Sequence, residues 1–171
     1  MTRIAILTSL ALFAAPGLAL AAGEAKPAAE APTCAAGEAY DASMKKCMKA
    51  HAMSPEDEAI YDAGKTQAEA GEYDKAIATL MTVKDQANPK VLNYLGYSHR
   101  KSGKVEAGIG YYKKALEIDP DYIRAREYLG EGYVQLKQVD MAQAELAEIE
   151  KRCGKECEEY KDLSAAIAAA K

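Results

Sequence analysis

A pair of residues, leucine or alanine followed by glycine, recurs at nearly constant spacing and constrains the fold more than any other feature of the sequence. Leu129-Gly130 lies 34 residues after Leu95-Gly96, and Ala63-Gly64 lies 32 residues before it. A period of this length is typical of repeat proteins, in which each unit is one small motif that cannot bury its apolar side alone. We therefore expect a row of stacked units.

The central unit, residues 89–120, shows what each motif is. Apolar residues keep helical spacing up to His99, and Gly103 then interrupts the pattern. A second apolar face begins at Gly108 and stops at Asp119-Pro120, a pair that ends helices. The unit therefore predicts two short helices joined by a glycine turn.

Small residues repeat at matching places of each unit. They are the glycines of the first helix (Gly64, Gly96, Gly130), the turn glycines (Gly71, Gly103), the small residues of the second helix (Ala76, Gly108, Ala142) and the closing Asp119-Pro120. This set resembles the tetratricopeptide repeat family. The resemblance implies an all-α fold, an α-solenoid of three helix-turn-helix repeats within residues 54–154 (about 55–88, 89–120 and 121–154), with residues 155–171 as a capping helix.

Helical spacing sets approximate bounds for the other helices. We predict helices over about 55–70, 73–86, 121–137, 140–152 and 158–170, with Ala63 among the inward residues of the first. The third repeat departs from the pattern at two positions. Lys137 stands where the other turns have glycine, and Arg126 stands where the first helices of the other repeats have an apolar residue. This repeat is therefore the least regular.

The first 21 residues have the pattern of a signal peptide. Arg3 precedes an apolar run from Ile4 to Ala15, and Ala19-Leu20-Ala21 supplies small residues before a cleavage site. The run is shorter than the roughly 20 residues that span a bilayer, so no membrane insertion is expected after cleavage. We predict an exported protein that resides in the periplasm, with secretion from the cell as the alternative.

Residues 22–33 form an Ala/Pro/Glu tract that predicts a disordered linker.

The predicted export determines how the cysteines are interpreted. All four cysteines follow the linker, and an even count in an oxidising compartment indicates two disulfides. Three pairings are possible, and we predict the local ones, Cys34–Cys47 and Cys153–Cys157. The first would close a small hairpin module over residues 34–53; the second would be a structural bridge or, alternatively, a redox pair.

Charge and motif content argue against several function classes. The chain has 22 basic and 26 acidic residues, a formal net charge of -4, which gives no general attraction to nucleic acid or anionic lipid. It has two histidines and lacks a Gly-x-Ser-x-Gly elbow or a phosphate-binding glycine loop. His99 falls on the apolar face of its helix, which favours a packed side chain over a general base. We predict a non-enzyme without a cofactor.

The family resemblance implies a binding surface instead. In stacked hairpins the first helices line a concave groove that holds a protein or peptide segment. The groove positions are Tyr61, Lys65, Lys90, Asn93, Tyr97, Arg100, Lys101, Arg124, Glu127 and Glu131. Their central members are basic, which predicts an extended or acidic peptide as the partner and the role of an adaptor or assembly factor in the cell envelope. An ordinary solvated face is the alternative.

Two other functions fit parts of the sequence. Met44, Cys47, Met48, His51 and Met53 lie within ten residues and carry the soft ligands that Cu(I) prefers. If residues 44–53 were helical, four of these side chains would share one face, which would make a copper-binding module. Exposed ends of the solenoid would alternatively allow self-assembly into a scaffold.

Overall fold

The computed structural model describes residues 38–41, 46–49 and 52–170. The predicted signal peptide, the predicted linker, Cys34, Met44 and His51 lie outside this part of the chain. The predictions made for them therefore stay predictions.

A short hairpin precedes the helices. Strand β1 (Glu38–Asp41) pairs with β2 (Lys46–Lys49) in antiparallel register, with Tyr40 opposite Cys47. The predicted folding back of this segment thus occurs. The helical arrangement considered for the copper ligands is wrong at Lys46–Lys49, because a strand lacks the period that would bring residues 44, 47, 48 and 51 to one face.

Seven helices follow in the described part of the chain and form an all-α solenoid of helical repeats, as predicted. They are α1 (Pro55–Glu69), α2 (Tyr73–Leu80), α3 (Pro89–Lys101), α4 (Val105–Ile118), α5 (Ile123–Gln135), α6 (Val139–Cys153) and α7 (Glu158–Ala169). Each first helix packs on its own second helix, and α7 packs on both α5 and α6. None of the described helices is long and apolar enough to cross a membrane.

Two helix starts are fixed by side-chain caps. Ser54 Oγ accepts a hydrogen bond from the backbone N–H of Asp57 at 3.1 Å, and Asn88 Oδ1 accepts one from Lys90 at 3.0 Å. Pro55 and Pro89 follow these caps, at a position where a missing N–H costs nothing. These starts were predictable from the sequence.

Helix α2 is shorter than predicted, because it ends at Leu80 and not near Gln86. The Gln86 side-chain amide donates to the carbonyl oxygens of Leu80 (3.0 Å) and Val83 (2.6 Å). The N–H of Lys84 donates to the buried carboxylate of Asp57 at 3.1 Å. These side-chain contacts replace the last helical turn.

The glycines of the first helices mark close approaches between helices. A Cβ added at Gly64 would lie 2.6 Å from Leu80, and one at Gly96 would lie 2.6 Å from Tyr112. These contacts stay within one repeat. At Gly130, by contrast, the neighbouring side chain is Leu163 of α7. The capping helix therefore takes part in the packing of the third repeat.

The structure shows the surroundings of two residues that the sequence analysis singled out, Ala63 and Arg126. Ala63, predicted to face inward, is exposed. Arg126, which stands where the other repeats have an apolar residue, donates to Glu145 of α6 at 3.0 Å and to the carbonyl oxygen of Pro120. The polar side chain at this position is thus paired.

Candidate functional site

The predicted groove residues lie on the first helices of the three repeats. Tyr61 and Lys65 are on α1, five residues are on α3, and three are on α5. Among them Lys90 and Lys101 are exposed, whereas Tyr61, Asn93, Arg100 and Glu127 are buried. The surface is therefore less open and less basic than its sequence indicates.

Four tyrosines form a connected row across these helices. Tyr61 meets Tyr94 edge to face at 5.7 Å between ring centroids, Tyr94 lies 6.0 Å from Tyr97, and Tyr97 lies 5.3 Å from Tyr128. Burial raises the pKa of Tyr61 and Tyr94 well above the ordinary value, so their hydroxyls stay neutral. We call Tyr61, Tyr94, Tyr97 and Tyr128 the tyrosine row.

Arg100 is an internal structural cation. Its side chain is 3% exposed and forms an ion pair with Glu131 of α5 at 2.5 Å. Its Nε donates to the Tyr112 hydroxyl at 3.3 Å, and the guanidinium lies 5.5 Å from the Tyr128 ring centre. Arg100 therefore joins α3, α4 and α5. Because its guanidinium is already paired with the Glu131 carboxylate, it is not available to bind a carboxylate of a partner.

Arg124 is also paired, but it is more accessible. Its guanidinium lies 3.1 Å from Glu159 and 3.5 Å from Glu158, at the start of α7. A third carboxylate, that of Glu127, is 3.9 Å away, which is ion-pair distance but too long for a hydrogen bond. The second predicted groove arginine thus has acidic partners on two helices.

Two buried polar side chains in the groove have unsatisfied atoms. Asn93 is 0% exposed, and among the described residues neither its amide oxygen nor its amide nitrogen has a hydrogen-bond partner. Glu127 is 3% exposed, and no described residue donates a hydrogen bond to its Oε2. Because most buried polar groups in proteins are hydrogen-bonded, each such exception needs an explanation. Asn93 and Glu127 lie at equivalent positions of consecutive repeats.

Glu127 also has an unusual acidity. Burial, followed by the negative charge of Glu131, raises the pKa of Glu127 to about 8, although Arg124 opposes the shift. Asp162 and Glu159 of α7 add to the rise. The Glu127 carboxyl is therefore largely protonated at neutral pH.

Comparison with known proteins agrees with this architecture. Residues 99–167 match the family model described as tetratricopeptide repeat. The chain resembles the tetratricopeptide repeat domain of Sgt2 from Aspergillus fumigatus, with 21% identity, a TM-score of 0.60, and coverage of 71% of this chain and 80% of that one. The chain has the fold of a tetratricopeptide repeat domain, and residues 99–167 match the model of that family. No curated protein sequence matches it significantly.

Two further solved structures of this fold contain peptides. The first tetratricopeptide domain of RPAP3, bound to the HSP90 peptide SRMEEVD, has 17% identity and a TM-score of 0.61, covering 69% of this chain and 98% of that one. The Yersinia enterocolitica secretion chaperone SycD, in complex with a peptide of YopD, has 19% identity and a TM-score of 0.59, covering 68% and 90%. At these identities the likeness shows the fold alone.

Sequence reasoning missed part of this groove. Tyr94 and Tyr128 were not among the predicted residues, although both belong to the tyrosine row. They follow Asn93 and Glu127 directly, so they occupy equivalent places in successive repeats. An aromatic residue repeated in register was the signal that would have revealed them.

Other predicted sites have simpler surroundings. His99 is half-buried and stacks on Tyr111 at 5.2 Å, and burial lowers its pKa. Met53, one of the copper candidates, packs against the core of the first repeat. A disulfide joins Cys153 to Cys157 between α6 and α7, with their Cα atoms 6.0 Å apart. Whether this bridge has a structural or a redox role stays a prediction.

Proposed function

We propose that this protein is a non-catalytic module that binds an extended segment of a partner protein along the concave face of α1, α3 and α5. The observation that carries the proposal is the tyrosine row together with the unsatisfied polar atoms of Asn93 and Glu127. The half-buried rings of Tyr97 and Tyr128 offer apolar contact area, and unpaired polar groups offer direction. The peptide complexes of RPAP3 and SycD support the use of this fold for such segments.

Two lysines at the edge of this face, half-buried Lys65 and exposed Lys101, favour a polypeptide ligand. The Lys101 ammonium lies 5.8 Å from the Tyr97 ring centre, and that of Lys65 lies 6.0 Å from the Tyr94 ring centre. Their stems border the rings while their charges reach solvent, as long amphipathic side chains do. A peptide lying over the tyrosine row would pass between them.

A steric block at the groove edge tests the proposal. We expect Lys65→Trp and Lys101→Trp, combined in one chain, to lower the recovery of the specific partner from a cell-envelope extract about tenfold or more. The matched control, Lys113→Trp with Lys155→Trp, makes the same change at two exposed lysines that are not part of the first helices. Equal recovery by both variants would contradict a partner site on this face.

The proposal includes export and a role as an adaptor or assembly factor in the cell envelope. It is supported by Arg3, the apolar run from Ile4 to Ala15 and the small residues before Ala22. Mass spectrometry of the protein recovered from the envelope should give a chain that begins at Ala22. Recovery of a chain that retains Met1 would contradict cleavage at this position.

A further inference from the structure

We propose that Asn93 and Glu127 form a site for a lysine side chain of the bound partner segment. The inference rests on the proposed function and adds the chemistry of the ligand. It reverses the expectation of an acidic peptide, which depended on arginines that the structure shows to be paired.

Glu127 lacks a close cation at its buried oxygen. The nearest cationic nitrogen among the described residues is Arg124 Nη1, 3.9 Å from Glu127 Oε2, beyond hydrogen-bond reach. The neighbouring charges of Glu131, Glu159 and Asp162 are all negative and act against ionisation of Glu127. A ligand cation would supply the hydrogen bond and the counter-charge together, whereas a ligand carboxylate would add a further negative charge.

Arg124 is able to give up its contact with Glu127. Its side chain is 35% exposed, and Glu158 and Glu159 both lie closer to it than Glu127 does. A partner cation would therefore enter where Arg124 now approaches Glu127, and Arg124 would keep its two partners on α7. Arg100 has no such freedom, since its side chain is 3% exposed and it is paired with Glu131.

The surrounding groups suit an ammonium on a long apolar stem. Tyr61 on α1 interacts electrostatically with Tyr128 on α5, the residue that follows Glu127. Tyrosine rings attract cations and pack against methylene stems. The ammonium would donate to Glu127 Oε2, and the unpartnered amide of Asn93 would bond polar groups of the same segment.

Proton linkage distinguishes a cationic from an anionic ligand. The groups that face Glu127 are Glu131 and Arg124 on its own helix and Glu159 and Asp162 on α7, while Arg100 of α3 pairs with Glu131. Binding of a cation favours the ionised carboxylate, so Glu127 releases a proton and affinity increases with pH until the carboxyl is ionised. Binding of an anion has the opposite pH dependence.

NMR titration of the mature chain with three blocked peptides tests the inference. The probes are acetyl-Gly-Lys-Gly-amide, the same peptide with norleucine, which lacks only the ammonium, and the same peptide with glutamate. We expect only the lysine peptide to shift the Asn93 side-chain amide signals. Its affinity should increase between pH 6.5 and pH 8.5, by about tenfold per unit at most.

Two variants complete the experiment. Glu127→Gln should weaken the lysine peptide about tenfold and remove the pH dependence, while Glu148→Gln, at a carboxylate of α6 that pairs with Arg152, should leave both unchanged. No shift with lysine, stronger binding of glutamate, or an unchanged affinity in Glu127→Gln would each overturn the inference. The existence of the partner site is tested separately, by the Lys65→Trp/Lys101→Trp variant.

Discussion

Lys137 occupies a backbone conformation that normally belongs to glycine. Its φ is 59°, and the turns of the other two repeats have Gly71 at 81° and Gly103 at 89°. A side chain in this left-handed region costs about 1–2 kcal/mol, and part of that cost is offset because lysine loses less backbone entropy than glycine on folding. The third repeat thus forms the same turn at a higher conformational cost.

We therefore expect Lys137→Gly to raise the free energy of unfolding by about 0.5–1 kcal/mol, as measured by urea denaturation. The reverse change, Gly103→Ala, should lower it by about 1 kcal/mol through backbone strain, since a Cβ there would meet no atom within 4 Å. A Lys137→Gly protein that is no more stable than the wild type would show that this turn is not strained.

Glu127 should make stability depend on pH. In the unfolded chain its pKa is near 4.3, whereas in the folded chain it is raised to about 8. Between these values the folded state holds a proton that the unfolded state has lost, so stability falls as pH rises, by at most about 1.4 kcal/mol per unit. Above pH 8 the contribution no longer changes.

Glu127→Gln removes this titration. We expect the free energy of unfolding of the variant to change less between pH 5.5 and pH 8 than that of the wild type, and the variant to be the more stable protein at pH 8. Chemical denaturation at several pH values measures both, with Glu148→Gln as the control. Parallel pH profiles for wild type and Glu127→Gln would contradict the raised pKa.

At the scale of elements, α7 completes the third repeat as well as capping the solenoid. Leu163 is fully buried and meets the Gly130 notch of α5, a place filled in the earlier repeats by the second helix of the same repeat. The first turn of α7 carries Glu158 and Glu159, which pair with Arg124. Helix α7 therefore links the end of the solenoid to the groove.

Leu163→Ala should lower the free energy of unfolding by about 2–5 kcal/mol, because it leaves a cavity against Gly130. Lys161→Ala, on the exposed side of the same helix, should change it by less than about 0.5 kcal/mol. Urea denaturation followed by circular dichroism compares the two. Similar small effects would mean that α7 is a loosely attached cap.

Element bounds were predictable where a local signal sets them and not where a distant residue does. Ser54 and Pro55 fix the start of α1, and the sequence alone predicts that start. The end of α2 depends on Gln86 and on Asp57, which is 27 positions from its partner Lys84. Periodicity continues past Leu80, but these contacts stop the helix there.

At the scale of the whole molecule, the repeat period was enough to predict the all-α solenoid. Stacked hairpins bury their apolar sides only against one another, so spacing and small residues determine the architecture. The candidate site residues lie on the first helices, as the repeat period predicts. The pairing of Arg100 with Glu131 across repeats, and the burial of Asn93 and Glu127, depend on side-chain packing that the period does not encode.

Photo-cross-linking in the cell shows whether the face lined by the tyrosine row binds a partner segment. A photoreactive phenylalanine analogue would replace Lys101 at the groove edge or, as control, Lys113 on α4. We predict a specific cross-linked adduct from position 101 and none from position 113. An adduct from position 113 alone, or from neither position, would contradict the claim.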